Sequence, residues 1–114
     1  MSIISKWDTG QGGIIEIYQT GDTLSGKLVQ SQEPDRLDAK NPDASKRSQT
    51  LIGTDILTGF KPADDDTWED GEVYDPTSGK KYSAKLTLKG DVLKVRGFVG
   101  MSLLGKTVEW KRTA

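Results

Sequence analysis

The chain has 114 residues, 16 basic against 17 acidic side chains, and neither Cys nor His. Without Cys, disulfides, thiolate catalysis and Cys zinc sites are excluded; without His, the commonest general base, metal ligand and pH switch is missing. A formal net charge of −1 offers no basic field to nucleic acid and no polybasic face to a membrane surface.

The length suits one domain, residues 1–114. Ile3 to Trp7 is a short apolar start. The opening MSIISKW is too short for a signal peptide, and no run is apolar enough to insert in a membrane as a helix. Gly10, Gly12 and Gly13 then break the chain. Ile14 to Gln19 predicts a strand, with Ile15 and Ile17 on one face. Thr20-Gly21-Asp22 reads as a hairpin turn. Leu24 to Gln30 predicts the next strand, with Leu24, Gly26 and Leu28 on one face.

From Ser31 to Thr50 the texture turns polar, longer than a hairpin loop needs. Asn41-Pro42-Asp43 is a helix start, with a capping side chain, Pro at the first position and an acid near the positive end. One or two helical turns are expected from Pro42 to about Arg47, capped by Asn41.

Leu51 to Phe60 predicts a strand, Lys61 to Asp66 an acidic loop, and Trp68 to Tyr74 another strand. Asp75-Pro76-Thr77-Ser78-Gly79 is a strong turn signal. Lys80 to Lys89 alternates, with Tyr82, Ala84, Leu86 and Leu88 inward. Gly90-Asp91 is a two-residue turn, and Leu93, Val95, Gly97 and Val99 form the next inner face. The chain closes on a last strand through Val108 and Trp110.

Hairpin after hairpin predicts an all-β fold: one up-and-down antiparallel β-barrel of about eight strands, with one short helix in the long loop. At about eight strands the interior is either filled by side chains or holds one small ligand. The small inner residues Gly26, Ala84 and Gly97 fit a cavity, and fit bend points equally.

Two motifs carry less than they seem. Gly100 to Thr107 spells G-x-x-x-x-G-K-T, a phosphate loop. Such a loop needs a helix after its Lys-Thr, and a β-branched, alternating run follows instead. Asp64, Asp65 and Asp66, with Glu69 and Asp70, crowd acids together as a calcium site would. The spacing is not that of an EF-hand, so a solvated turn is the expectation and no metal is assigned. No pair of carboxylates is placed across a cleft, and no Ser or Thr has a base, so no catalytic residue, enzyme activity or cofactor is expected.

The chain resembles the bacterial family known as domain of unknown function 2147. The resemblance rests on the Trp7 start, Asp38-Ala39-Lys40-Asn41-Pro42-Asp43 with Arg47, and Leu51-Ile52-Gly53. It continues through Val73-Tyr74-Asp75-Pro76, Gly79-Lys80 and Tyr82. It ends on Val95-Arg96-Gly97-Phe98-Val99-Gly100, Leu104-Gly105, Thr107, Trp110 and Arg112. Ser5 departs from the family's Gly, and Asp70 stands where a Gly is common.

The resemblance implies a calycin-like barrel, similar in fold to lipocalins and fatty-acid-binding proteins. It implies a periplasmic or secreted location if a leader was removed, and a cytoplasmic one otherwise. It also implies that Trp7 packs under Arg112 to close one barrel end, a pairing with a cation–π basis. The leading expectation is a binding module for a small apolar or amphipathic molecule. Trp68, Tyr74, Tyr82, Arg96 and Trp110 are its candidate contacts, although alternation puts Arg96 on the outer face. The alternative is a structural or protein-interaction domain with a filled barrel. The segment Ser31 to Thr50 is expected to cover one barrel end as a lid, with Leu37 facing inward.

Overall fold

The structure, a computed structural model, describes residues 2–98 and 105–113. Eight strands follow in order: β1 Lys6–Asp8, β2 Ile14–Thr20, β3 Thr23–Gln30, β4 Asp55–Asp64, β5 Thr67–Asp75, β6 Lys80–Lys89, β7 Val92–Phe98 and β8 Gly105–Arg112. Each pairs antiparallel with the next, and β8 returns to β1 to close the barrel. Closure removes the unpaired edges that an open meander would leave.

Alternation decides what fills it. Ile15 and Ile17 on β2, Leu86 on β6, Leu93 and Val95 on β7 and Trp110 on β8 are all buried in one apolar cluster. Register carries that face around the wall: Leu86 lies opposite Val95, and Leu93 opposite Trp110. Gly71 is buried because Phe60 occupies the space a side chain would need; any Cβ there would strike the Phe60 ring.

The two ends differ. At one, the turns are two residues each: Gly21-Asp22, Asp65-Asp66 and Gly90-Asp91. At the other, the connections include residues 9–13, 31–54 and 76–79.

Three boundaries differ from the sequence expectation. Residues 51–53 form a turn, with the Thr54 amide donating to the Leu51 carbonyl at 3.0 Å, so β4 starts at Asp55. Lys61 to Asp64 is strand rather than loop, because Lys61, Pro62 and Asp64 pair with Glu69, Trp68 and Thr67 of β5. The helix from Pro42 is one 3-10 turn, Ala44–Lys46, and Asp43 rather than Asn41 caps it, accepting from the Ser45 amide at 3.0 Å. The Ser45 hydroxyl, which donates to the same carboxylate at 2.7 Å, and the Ser45 amide together hold the Asp43 carboxyl below its usual range. Asn41 is used elsewhere: its amide donates to Asp38 at 2.8 Å, and its oxygen accepts from the Asp43 amide at 2.8 Å.

Asp70 has φ +63° beside a register shift between Trp68 and Gly71. The left-handed region strains a side-chain-bearing residue. Asp70→Gly should therefore raise stability by about 0.5–1 kcal/mol, glycine's added chain entropy offsetting part of the relief. A lower urea midpoint in the variant would refute this.

Candidate functional site: a barrel sealed at one end

Trp7 and Arg112 are register partners across the β1–β8 seam. The guanidinium carbon of Arg112 lies 4.5 Å from the Trp7 ring centroid, within the range of cation–π attraction. Trp7 is 0% exposed, and its indole N–H donates to the Ile3 carbonyl at 3.0 Å. Arg112 donates to the Ser2 carbonyl at 2.7 Å, to the Gly90 carbonyl at 3.0 Å and to Asp91 at 3.3 Å. The pair thus ties the N-terminal segment, the β6–β7 turn and the last strand together. Trp7 packs under Arg112 at the tight-turn end, the contact that the resemblance implies.

Burial along the inner face is graded toward the other end. Leu86 and Leu93 are fully buried near the middle and the closed end. Leu28, Val73, Tyr82 and Gly97, further out, are only half-buried. The register places Val73 opposite Tyr82, Gly97 opposite Ala84, and Lys106 opposite Gly97. Val108 lies opposite the buried Val95 yet is 39% exposed. β8 pairs with β1 only at Arg112 and Lys111, so its Lys106–Val108 stretch stands beyond the seam. This partly exposed apolar stretch of the inner wall, the cup, has Lys106 beside it on β8.

The five candidate contacts are not brought together. Tyr82 lines the cup. Trp110 is buried in the closed half, paired with Leu93. Trp68 is inner but near the tight-turn end, where it lines a cleft of about 320 Å³ with Ile3, Ile4, Leu24, Leu88, Asp65 and Asp66. Arg96 faces outward, opposite Lys85 and Thr107, and donates to the Thr107 hydroxyl at 3.3 Å. Tyr74 shares the outer face with its partner Lys81.

Tyr74 is nevertheless only 5% exposed, because the long segment covers it. Its hydroxyl donates to Asp38 at 2.5 Å. Burial, with that hydrogen bond and charge beside it, pushes the Tyr74 hydroxyl up to about 12. The segment folds back on itself: Asp38 N–H donates to the Gln49 carbonyl at 2.8 Å, and Leu51 N–H to the Arg36 carbonyl at 2.9 Å. Lys40 packs so close to Gly79 that a side chain there would collide with its carbonyl, and Gly79 also has φ +74°. Between this segment and the outer wall lies a polar cleft of about 690 Å³, bounded by Asn41, Gln49, Thr58, Glu72 and Lys81.

The lid expectation is corrected on this point. Leu37 is 46% exposed and does not enter the barrel. Neighbours on an extended segment face opposite ways. Asp38 takes the wall side, where Tyr74 and Asn41 satisfy its carboxylate, and Leu37 is left in solvent. The segment lies on the outer wall beside the rim.

Of the phosphate-loop motif, Gly100 to Leu104 lies outside the described residues. Gly105, Lys106 and Thr107 are strand, and strand continues to Arg112, so no helix follows the Lys-Thr to hold an anion. Among the described residues no group of three or more acidic side chains is arranged to hold a metal ion. No helix among them is long and apolar enough to cross a membrane.

The sequence matches, over residues 5–112, a family described as an uncharacterized protein conserved in bacteria, domain of unknown function 2147. The chain belongs to that family. Its barrel is similar to that of protein HP1028 from Helicobacter pylori, which belongs to the lipocalin family. The likeness has a TM-score of 0.91 at 16% identity, over 100% of this chain and 84% of that one. No curated protein matches the chain in sequence. The family's Tyr-Asp-Pro and Asn-Pro-Asp motifs thus meet in space as the Tyr74–Asp38–Asn41 network. Asp70, at φ +63°, sits on a backbone that favours Gly.

The places of Asp38 on the outer wall and of Lys106 on the inner face were not expected from the sequence. Lys106 was legible in principle, since alternation from Trp110 through Val108 puts it inward. Asp38 was not, because its partner is 36 residues away.

Proposed function

We propose that this protein is a small-ligand binding module rather than an enzyme, and that it holds an apolar or amphipathic molecule in the open half of the barrel. The observation that carries the reading is the graded inner face. Leu28, Val73, Tyr82 and Val108 present apolar surface that remains partly open, above a floor of fully buried side chains. Apolar concavities with few polar groups are the usual form of small-molecule sites. The likeness to a lipocalin-family barrel supports the same reading.

The test uses the neutral fluorophore N-phenyl-1-naphthylamine. Saturable binding with a blue-shifted emission is expected. Gly97→Leu should weaken it about tenfold, near 1.4 kcal/mol, because the new side chain grows into the cup. A Cβ at Gly97 comes no nearer than 3.4 Å to Val73 Cγ1, so the fold should accept the change, checked by an unshifted melting transition. Absence of saturable binding in the wild-type protein would instead make the barrel a structural one.

A further inference from the structure

A cationic side chain stands beside the cup. Lys106 is on the inner face, opposite Gly97 and two residues from Val108. Its register partner has no side chain, and no acid shares its face on β7, where Val95 and Gly97 are the neighbours. Glu109 and Arg96 face outward. Across the barrel end, Lys80 stands opposite Asp75, whose carboxylate accepts from the Thr77 amide and the Ser78 hydroxyl. Among the described residues Lys106 makes no ion pair. An apolar cup therefore ends on one exposed ammonium group.

We infer that the ligand is a single-chain amphiphile with an anionic head group, carboxylate or phosphate, its chain in the cup and its head at Lys106. The inference rests on the cup being the binding site. An ammonium is a compact point charge with three donors and takes either head group without a fixed geometry. A charge-assisted hydrogen bond is roughly twice as strong as a neutral one. The apolar chain contributes through burial and the head through the ion pair, so the two are separable by experiment.

The experiment compares four decyl-chain ligands, each below its micelle concentration, by displacement of N-phenyl-1-naphthylamine. They are decanoate, decyl phosphate, decanol and decyltrimethylammonium. The two anions should bind about tenfold tighter than decanol, and the cation weakest. Added salt should narrow the gap. Lys106→Met should bring the anions to within about twofold of decanol and remove the salt dependence of their binding. Lys106→Glu should reverse the order of anion and cation. Equal binding of anion and cation by wild-type protein, or an anion preference that survives Lys106→Met, overturns the inference while the cup stands. Loss of fluorophore binding in the wild type overturns the cup itself and the inference with it. A preference for only one of the two anions identifies the head group and supports the inference.

Discussion

Trp7→Ala should cost about 3–5 kcal/mol of folding stability, the range for truncating a fully buried large aromatic side chain. Against a total of about 5–15 kcal/mol for a domain of this kind, that removes a large share of the fold's margin. Three losses combine. The indole vacates the space beside Ile3 at the β1–β8 seam. Its N–H no longer satisfies the Ile3 carbonyl. Arg112, whose side chain is only 12% exposed, loses the ring it stacks on. β1 is three residues long and meets β8 at two positions, so closure depends on this pair more than on the ladder. Arg112→Lys should fall between wild type and Arg112→Ala, since Lys keeps a charge but lacks the planar fork that reaches Ser2, Gly90 and Asp91 together. A double-mutant cycle by urea denaturation should give a Trp7–Arg112 coupling of about 1–2 kcal/mol. A Trp7→Ala variant within 1 kcal/mol of wild type would mean that the end is closed by something else.

Tyr74→Phe should cost about 1.5–3 kcal/mol, the range for a hydrogen bond to a charged group. Asp38 is 2% exposed and would be left with the Asn41 amide as its side-chain partner. The loss should be local in its consequences. The segment from residues 31 to 54 has few apolar groups to set against the roughly 1–2 kcal/mol per residue needed to order its backbone. Polar contacts hold it, and Tyr74 anchors it to the wall. Amide exchange at Asp38 and Leu51, whose N–H groups bond within the segment, should therefore speed up before the barrel strands respond. The pH dependence has a definite sign. Tyr74 titrates near 12 in the fold against 10 unfolded, so the fold favours the protonated hydroxyl. That contribution is fully present below pH 10 and is lost as pH rises from 10 to 12. The wild-type advantage over Tyr74→Phe should shrink across that window. An advantage independent of pH up to 12 would assign the bond a negligible role.

Much of the barrel was readable because strand alternation is a local property. Ile15 and Ile17, Leu86 and Leu88, and Leu93 and Val95 declare one face by period alone, and short turn signals between them dictate sequential antiparallel pairing. Departures arose where local rules compete. Asp43 and Asn41 are both good caps, and the choice between them fell to Asp38, which takes the Asn41 amide. Leu37 and Asp38 are adjacent, and hydrophobicity alone selects Leu37 as the inward residue. The wall beneath offers a Tyr hydroxyl that needs an acceptor, so the acid goes in.

The residues alone determined the fold class, the closed meander, the identity of the core faces and the Trp7–Arg112 pair implied by family resemblance. These follow from period, turn chemistry and motif, all carried within a few residues of chain or in recognisable order along it. Only the tertiary structure decided where the long segment lies, that Tyr74 is buried on the outer wall, and that Trp68, Tyr82 and Trp110 occupy different levels of the barrel. It alone showed which inner residues stay partly exposed, Val73, Tyr82 and Val108 among them. Those outcomes depend on register between strands and on contacts across tens of residues, and period-2 alternation says which face a side chain takes but not how far along the barrel it stands.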